Sequence, residues 1–264
     1  MFKKIIFFYK QFKSCKIPLG AYLKIIRKRN GSGECSLQNL KFNYSKGSVF
    51  IALYEHIFIS EIYNFSENIS GHFTILDCGA NIGVATLYFK KKYPNARVIS
   101  FEPDTASFEI LKKNAEGNQL SNVLLKNEAV WIDNNGVYFN SGNDMGSRIG
   151  TASDGITNSI KSHRLKDILN NEEKIDFLKL DIEGAESEVI EDCKEVLYKI
   201  DKLFIEYHST PGEKQQFASI LNILTTNGFR YYIKEDCNLS NSPFLKVETT
   251  WGFDLQLQIF AFKQ

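Results

Sequence analysis

The sequence predicts an α/β fold built on a doubly wound, mostly parallel sheet. Three observations point there. From residue 73 onward, short apolar runs alternate with helical stretches at the spacing of strand–helix–strand units. The first run ends in an acid and turns through two glycines into a helix, as Leu76-Asp77-Cys78-Gly79-Ala80-Asn81-Ile82-Gly83. The last run places Leu255, Leu257, Ile259 and Ala261 at alternate positions, as an antiparallel strand near a sheet edge would.

The elements follow in order. Ile75-Leu76 is the first strand, residues 84–92 are its helix, and Pro94 ends that helix. Residues 98–101 make the second strand, which stops at Glu102-Pro103. A helix over 107–114 sets Phe108, Leu111 and Ala115 on one face, and residues 123–125 make the third strand. Residues 133–155 are rich in Gly, Asn, Ser and Asp. Val137-Tyr138-Phe139 can form an edge strand there, and the remainder, a long loop over 141–155, is expected to help cover a site. The rhythm resumes with a strand at 175–180, a helix at 185–197, a strand at 202–207, a helix at 217–226 stopped by Asn227-Gly228, and strands at 229–233 and 255–262. Ahead of the sheet, residues 40–44 and 49–53 predict a hairpin turning at Lys46-Gly47, followed by a short helix over 54–64. The chain therefore divides into an extension, residues 1–70, and a main domain, residues 71–264.

The totals exclude several classes. With 264 residues and 43% hydrophobic content the core is substantial, and a net charge of +1 does not demand nucleic acid. The charge is unevenly spread. Residues 1–30 hold nine Lys or Arg and no acid, leaving 23 bases against 31 acids in the rest. Phe2, Ile5, Ile6, Tyr9 and Phe12 recur at helical spacing among those lysines. Such a basic amphipathic helix suits either an anionic membrane surface or packing on the core or a second subunit. Five cysteines without a CxxC pair fit a reducing compartment rather than a disulfide framework or zinc site. No apolar run reaches the ~18 residues of a membrane span, and no signal peptide is read. A cytoplasmic protein, peripheral to the inner membrane surface at most, is expected.

Asp77 stands where a dinucleotide fold would place a glycine to admit pyrophosphate. A carboxylate there repels phosphate and suits an ammonium group, which S-adenosylmethionine (SAM) carries. Gly79 and Gly83 admit a ligand close to the backbone, and Asn81 can bond backbone or ligand. Glu102 lies 19 residues beyond Gly83 at the end of the next strand, where an acid commonly bonds ribose hydroxyls. Both NAD and SAM carry that ribose. Asn127 or Glu128 would border the adenine. Asp181 and Glu183 follow a nearly all-apolar strand. There an acid can accept a proton from an attacking hydroxyl, or simply cap the helix that follows. Glu206 and His208, two apart on a strand, share one face. His208 is a ready general base. Asp181, Glu206 and His208 are also types that ligate a divalent metal, but nothing in their spacing requires one and none is expected.

Together, the octet at 76–83, Phe101-Glu102-Pro103, residues 127–130, Arg164-Leu165-Lys166-Asp167, Lys179-Leu180-Asp181-Ile182-Glu183-Gly184-Ala185-Glu186 and Ile205-Glu206-Tyr207-His208 resemble the FkbM family of SAM-dependent methyltransferases. The likeness runs over about residues 55–210 and includes Glu61-Ile62-Tyr63. It implies a class I (Rossmann-like) methyltransferase fold of seven strands, one antiparallel, and methyl transfer from SAM to a hydroxyl of a sugar or secondary metabolite. Asp77, Gly79, Asn81, Gly83 and Glu102 match the cofactor motifs; Ala80, Glu128, Ala129 and Asp181 complete the expected cofactor-binding set. Asp181, Glu183 and His208 match recurrent polar positions and are the expected catalytic groups. Arg164-Leu165-Lys166-Asp167 departs from the commoner Leu-Asp pair and is assigned no role. The expectation is an O-methyltransferase acting on a sugar of a bacterial surface polysaccharide. The rivals are an NAD-dependent oxidoreductase, for which GxGxxG is lacking, an RNA methyltransferase, for which no Asn-Pro-Pro-Tyr or Asp-Pro-Pro-Tyr string is present, and a non-catalytic membrane-associated scaffold.

Overall fold

The computed structural model describes residues 16–65, 73–140, 148–150, 159–235, 240 and 242–263. The basic helix expected at residues 2–12 and most of the loop expected at 141–155 lie outside them. The chain divides into two compact units, one of Met1–Ser70, Ala80–Asn95 and Thr105–Asn122, the other of Gly71–Gly79, Ala96–Asp104 and Val123–Gln264. No helix among the described residues is long and apolar enough to cross a membrane.

The first unit contains α1 (Leu19–Arg27) and a hairpin of β1 (Gly33–Leu37) and β2 (Leu40–Tyr44). Gln38 and Asn39, at φ +50° and +66°, form its two-residue turn, the left-handed pair that matches the twist of the flanking strands. The expected hairpin was different. Residues 49–53, read as its second strand, instead lie in α2 (Gly47–Tyr54), which continues as one π-helical turn, Glu55–Ile59. A short apolar run fits a strand or a buried helix equally, and burial decides between them. Phe50, Tyr54 and Phe58 recur every four residues, and their ring centroids lie 5.2, 5.8 and 5.5 Å from that of Phe42. Only helical spacing brings all three onto one partner. The unit also holds α3 (Val84–Lys92) and α4 (Thr105–Gly117). Buried Asn114 of α4 accepts from the Asn43 amide at 2.6 Å and donates to Ile82 O at 2.8 Å, tying hairpin, helix and the start of α3 together.

The second unit carries a seven-stranded sheet. Its strands are β3 (Thr74–Cys78), β4 (Arg97–Phe101), β5 (Val123–Lys126), β11 (Ile175–Leu180), β12 (Ile200–Ser209), β13 (Arg230–Glu235) and β14 (Leu255–Phe262), in the order β13-β14-β12-β11-β3-β4-β5. All neighbours pair in parallel except β14, which runs antiparallel to both β12 and β13. The residues alternating along 255–262 thus belong to a strand between two others, one place in from the edge. Two small sheets lie between β5 and β11 in the chain. One pairs β6 (Ala129–Trp131) with β10 (Ser162–Arg164), and the other joins β7 (Val137–Asn140) to β8 (Arg148–Gly150) and β9 (Ser159–Ile160). The helices are α5 (Leu165–Asn171), α6 (Glu186–Cys193) and α7 (Phe217–Thr226); the longer helix expected over 185–197 ends at Cys193, and a turn at 194–196 leads into a 3₁₀ turn at Leu197–Lys199.

Every residue of β11 is buried, as a central parallel strand covered on both faces requires. Its two charged residues are each compensated. Asp176 accepts the Thr74 amide at 2.8 Å and pairs with Lys174 at 3.0 Å. Lys179 is met by oxygens at the opposite end of the strand. The core of the unit is closed by Leu165, Leu169, Val189, Ile190, Ile220 and Leu224 from the three helices. The chain runs outward from β3 through β4 and β5, then returns to the other side of β3 as β11 and β12. The strand order therefore reverses between β3 and β11, and open α/β sheets bind ligands beyond the carboxyl ends at such a reversal.

Candidate active site

At the reversal, Asp77 of β3 and Lys179 of β11 are register partners. Lys179 Nζ lies 3.7 Å from Asp77 Oδ1 and 3.0 Å from Asp181 Oδ2, and donates to Gly79 O at 2.7 Å. Asp77 is fully buried. The carboxylate expected to face a bound ammonium therefore already has an ammonium of its own chain beside it. Gly79, at φ +82°, brings the two strand ends together, and a Cβ there would run into the Asp181 carbonyl oxygen. The Asp181 amide in turn donates to Cys78 O at 3.2 Å. The close approach at this glycine is to the segment that follows β11, whereas the expected role is to admit a ligand.

Glu102 follows β4 and is buried. Its Oε1 accepts the Asp104 amide at 2.8 Å, while Asn127 donates to Glu102 O at 2.8 Å and Pro103 O at 3.1 Å. Asn127 thus braces the turn that carries Glu102. Glu128 faces His163 Nδ1 at 3.0 Å and Lys126 at 4.0 Å, and buried Ala129 donates its amide to Lys161 O at 2.8 Å. Ala80, Asn81 and Gly83 fall in the first unit. Asn81 has φ +50° and accepts the Ile82 amide at 2.7 Å, and Gly83 donates to Ala80 O at 2.9 Å. These bonds form the tight turn that opens α3.

The second cluster lies after β11 and on β12. Glu183 and Gly184 take φ +58° and +105°, conformations that cost about 1–3 kcal/mol at a non-glycine position. Buried Glu186 holds the turn. Its Oε1 accepts the Ile182 amide at 3.0 Å, and both its oxygens take the Gly184 amide at 3.1 Å. Capping of the following helix, one role open to Asp181 or Glu183, is made by neither, since no side-chain cap hydrogen bond stands at its N-terminus; Glu186 braces the turn that leads into it. Glu186 Oε1 also lies 3.1 Å from His208 Nδ1. Sequence reasoning assigns Glu186 no role, although it closes the 179–186 string that carries the family resemblance and stands as an acid in the first turn of a helix after a strand end.

Glu206 and His208 project from the same face of β12, and the Phe253 ring lies tilted at 46° to the imidazole with centroids 4.6 Å apart. His208 Nε2 lies 3.8 Å from Glu183 Oε2 and 3.9 Å from Glu206 Oε1. One ligand atom each from Asp181, Glu206 and His208 falls within 4.8 Å of the others. Burial pushes the Glu183 carboxyl up to about 7, against the pull of the His208 charge. Burial alone would lower His208, but the charge and hydrogen bond of Glu186, with Glu183 and Asp181 beyond, raise it to about 10. The surrounding carboxylates thus favour the protonated imidazole, while burial favours the protonated form of Glu183.

A sheet of this order, with acids on successive carboxyl ends around its reversal, defines a class I methyltransferase that takes its methyl group from SAM. The methyltransferase FkbM domain matches residues 77–231, more than half of the chain, and the chain belongs to that family. It is 27% identical over 202 residues to "Methyltransferase 1" of Beauveria bassiana, covering 67% of this chain and 80% of that protein. It is 28% identical over 207 residues to "Methyltransferase sdnD" of Sordaria araneosa, covering 64% and 79%. Among solved structures it is similar to the precorrin-6y C5,15-methyltransferase of Geobacter metallireducens, with a TM-score of 0.44, 12% identity, and 87% and 94% of the two chains covered.

Proposed function

We propose that this methyltransferase acts on a hydroxyl oxygen of a polar acceptor, a sugar of a surface polysaccharide. The observation that carries the reading is the pair Asp181 and Glu183, whose side chains keep 24% and 29% of their surface exposed while that of His208 keeps 2%. A hydroxyl attacking a sulfonium methyl must lose its proton, and a carboxylate within reach of the acceptor can receive it. His208 stands behind Glu183 and orients it. The donor set suits SAM. The carboxylates Asp77, Glu102 and Asp181 favour a cationic ligand, and the one lysine at the strand reversal is already taken up by oxygens. No phosphate cradle is therefore built from that lysine, which weighs against a nicotinamide dinucleotide. SAM would lie over the carboxyl ends of β3 and β4, with Glu102 on the ribose. Alignment of hydroxyl and methyl supplies much of the rate.

The test is incubation with methyl-labelled SAM and a panel of oligosaccharides, with mass spectrometry locating the methyl ether. Glu183→Gln is expected to lower kcat roughly 100-fold or more while leaving the SAM Kd within about twofold. Methyl transfer to RNA or to nitrogen, with no sugar methylated, would overturn the reading.

A further inference from the structure

We propose that Asp181, Glu206 and His208 form a binding site for one divalent transition-metal ion of the manganese or zinc type. The strand register creates it. Leu180 of β11 pairs with Ile205 of β12, so Asp181, one residue on, stands beside Glu206. His208, two residues beyond Glu206, returns to the same face. The three ligand atoms converge within 4.8 Å.

The orientation of the imidazole is the second, independent observation. His208 is buried, and its Nδ1 faces Glu186 Oε1 at 3.1 Å. With Nδ1 held against that carboxylate, Nε2 is directed at the cluster, and a bound ion takes the place of its proton, the arrangement that sets ring orientation in metal-ligating histidines. The distance from Nε2 to Glu206 Oε1, 3.9 Å, exceeds a hydrogen bond. It matches two atoms sharing one ion at ~2.1 Å each, which stand roughly 3–4 Å apart. Asp181 presents Oδ2 to Lys179 at 3.0 Å, leaving Oδ1 for the ion. Four carboxylates (Asp181, Glu183, Glu186 and Glu206) gather here with Lys179 and the imidazole, and a dication relieves their mutual repulsion. The imidazole nitrogen suits a transition metal such as Zn²⁺, and the two carboxylate oxygens suit Mn²⁺ as well.

The role of the ion rests on the methyl-transfer reading above. The acceptor hydroxyl oxygen binds the ion, which lowers its pKa, and the proton passes to Glu183. The oxygen lone pair forms the new O–CH₃ bond as the S–CH₃ bond breaks. That bond's electron pair stays on sulfur, which leaves as a neutral thioether.

The test is performed without SAM or acceptor. Chelator-stripped protein is titrated with Mn²⁺, following loss of the aqueous Mn²⁺ electron paramagnetic resonance signal. One saturable Mn²⁺ per chain is expected, bound at least about tenfold more weakly by Glu206→Gln. Pulsed measurement on the wild type is expected to show nitrogen modulation from a coordinated imidazole, which decides the matter even if the variant fails to fold. Absence of saturable binding, or of nitrogen coupling, overturns the proposal. Since methylation is assayed separately, a protein that methylates sugars but binds no Mn²⁺ overturns the metal site alone. One that binds Mn²⁺ but methylates no hydroxyl overturns the acceptor reading.

Discussion

Glu186 Oε1 touches both the turn before α6 and the imidazole of His208, accepting the Ile182 amide at 3.0 Å and facing His208 Nδ1 at 3.1 Å. One fully buried carboxylate therefore fixes the backbone that presents Glu183 and the ring that Glu183 faces. Removing it leaves the buried imidazole and two amides without their acceptor. Glu186→Ala is expected to destabilise the protein by about 3–5 kcal/mol, and Glu186→Gln by less, in urea unfolding.

Gly79 offers a different test, since its contact is with backbone. A methyl group at φ +82° would strike the Asp181 carbonyl oxygen, and neither strand end can yield without breaking the pairing of β3 with β11. Gly79→Ala is expected to cost about 2–5 kcal/mol and to impair SAM binding together with stability, read by thermal unfolding and calorimetry.

For Glu102 the two readouts should separate. Its turn is braced by Asn127 through backbone oxygens of Glu102 and Pro103, so the side chain can be neutralised without releasing the turn. Glu102→Gln is expected to weaken SAM binding by roughly 10- to 100-fold, the worth of a charged hydrogen bond to a ribose. An unchanged Kd would remove this residue from the cofactor site.

The buried thiols give a pH-dependent expectation. Burial pushes Cys35 and Cys193 up to about 12 and raises Cys78 further. The sign is simple: thiolate forms only as pH climbs toward those values, so at pH 8 roughly one molecule in ten thousand carries it at either of the first two. Peptide mapping after iodoacetamide treatment of the native protein at pH 8 is expected to find these three cysteines unmodified, and modified once urea is added.

The sheet was legible because its strands are short apolar runs ending in acids, and because 217–226 and 255–262 carry clear helical and alternating periods. Asp181, Glu183, Glu206 and His208 were legible as strand-end polar residues, and a period of two placed Glu206 and His208 together. Three features were not. Residues 49–53 have too few positions to show a period, and the ring of Phe42 that decides their conformation lies in another element. The turn at Gln38-Asn39 lacks the glycine that usually marks it. Glu186 and Lys179 look like ordinary charges in a helix and a strand. Their importance comes from partners 22 and 100 residues away, His208 and Gly79, a separation that local patterning cannot report.

The placement of β14 between β12 and β13 has a consequence for biosynthesis. The inner edge of β12 acquires its partner only after residue 262 has left the ribosome, because the last strand to be made is one that the sheet needs internally. Until then the nascent chain carries β12 as an open, hydrogen-bonding edge and β13 as an orphan ribbon. Completion of this sheet consequently waits for β14, and chaperones that shield unpaired strands have their window before it.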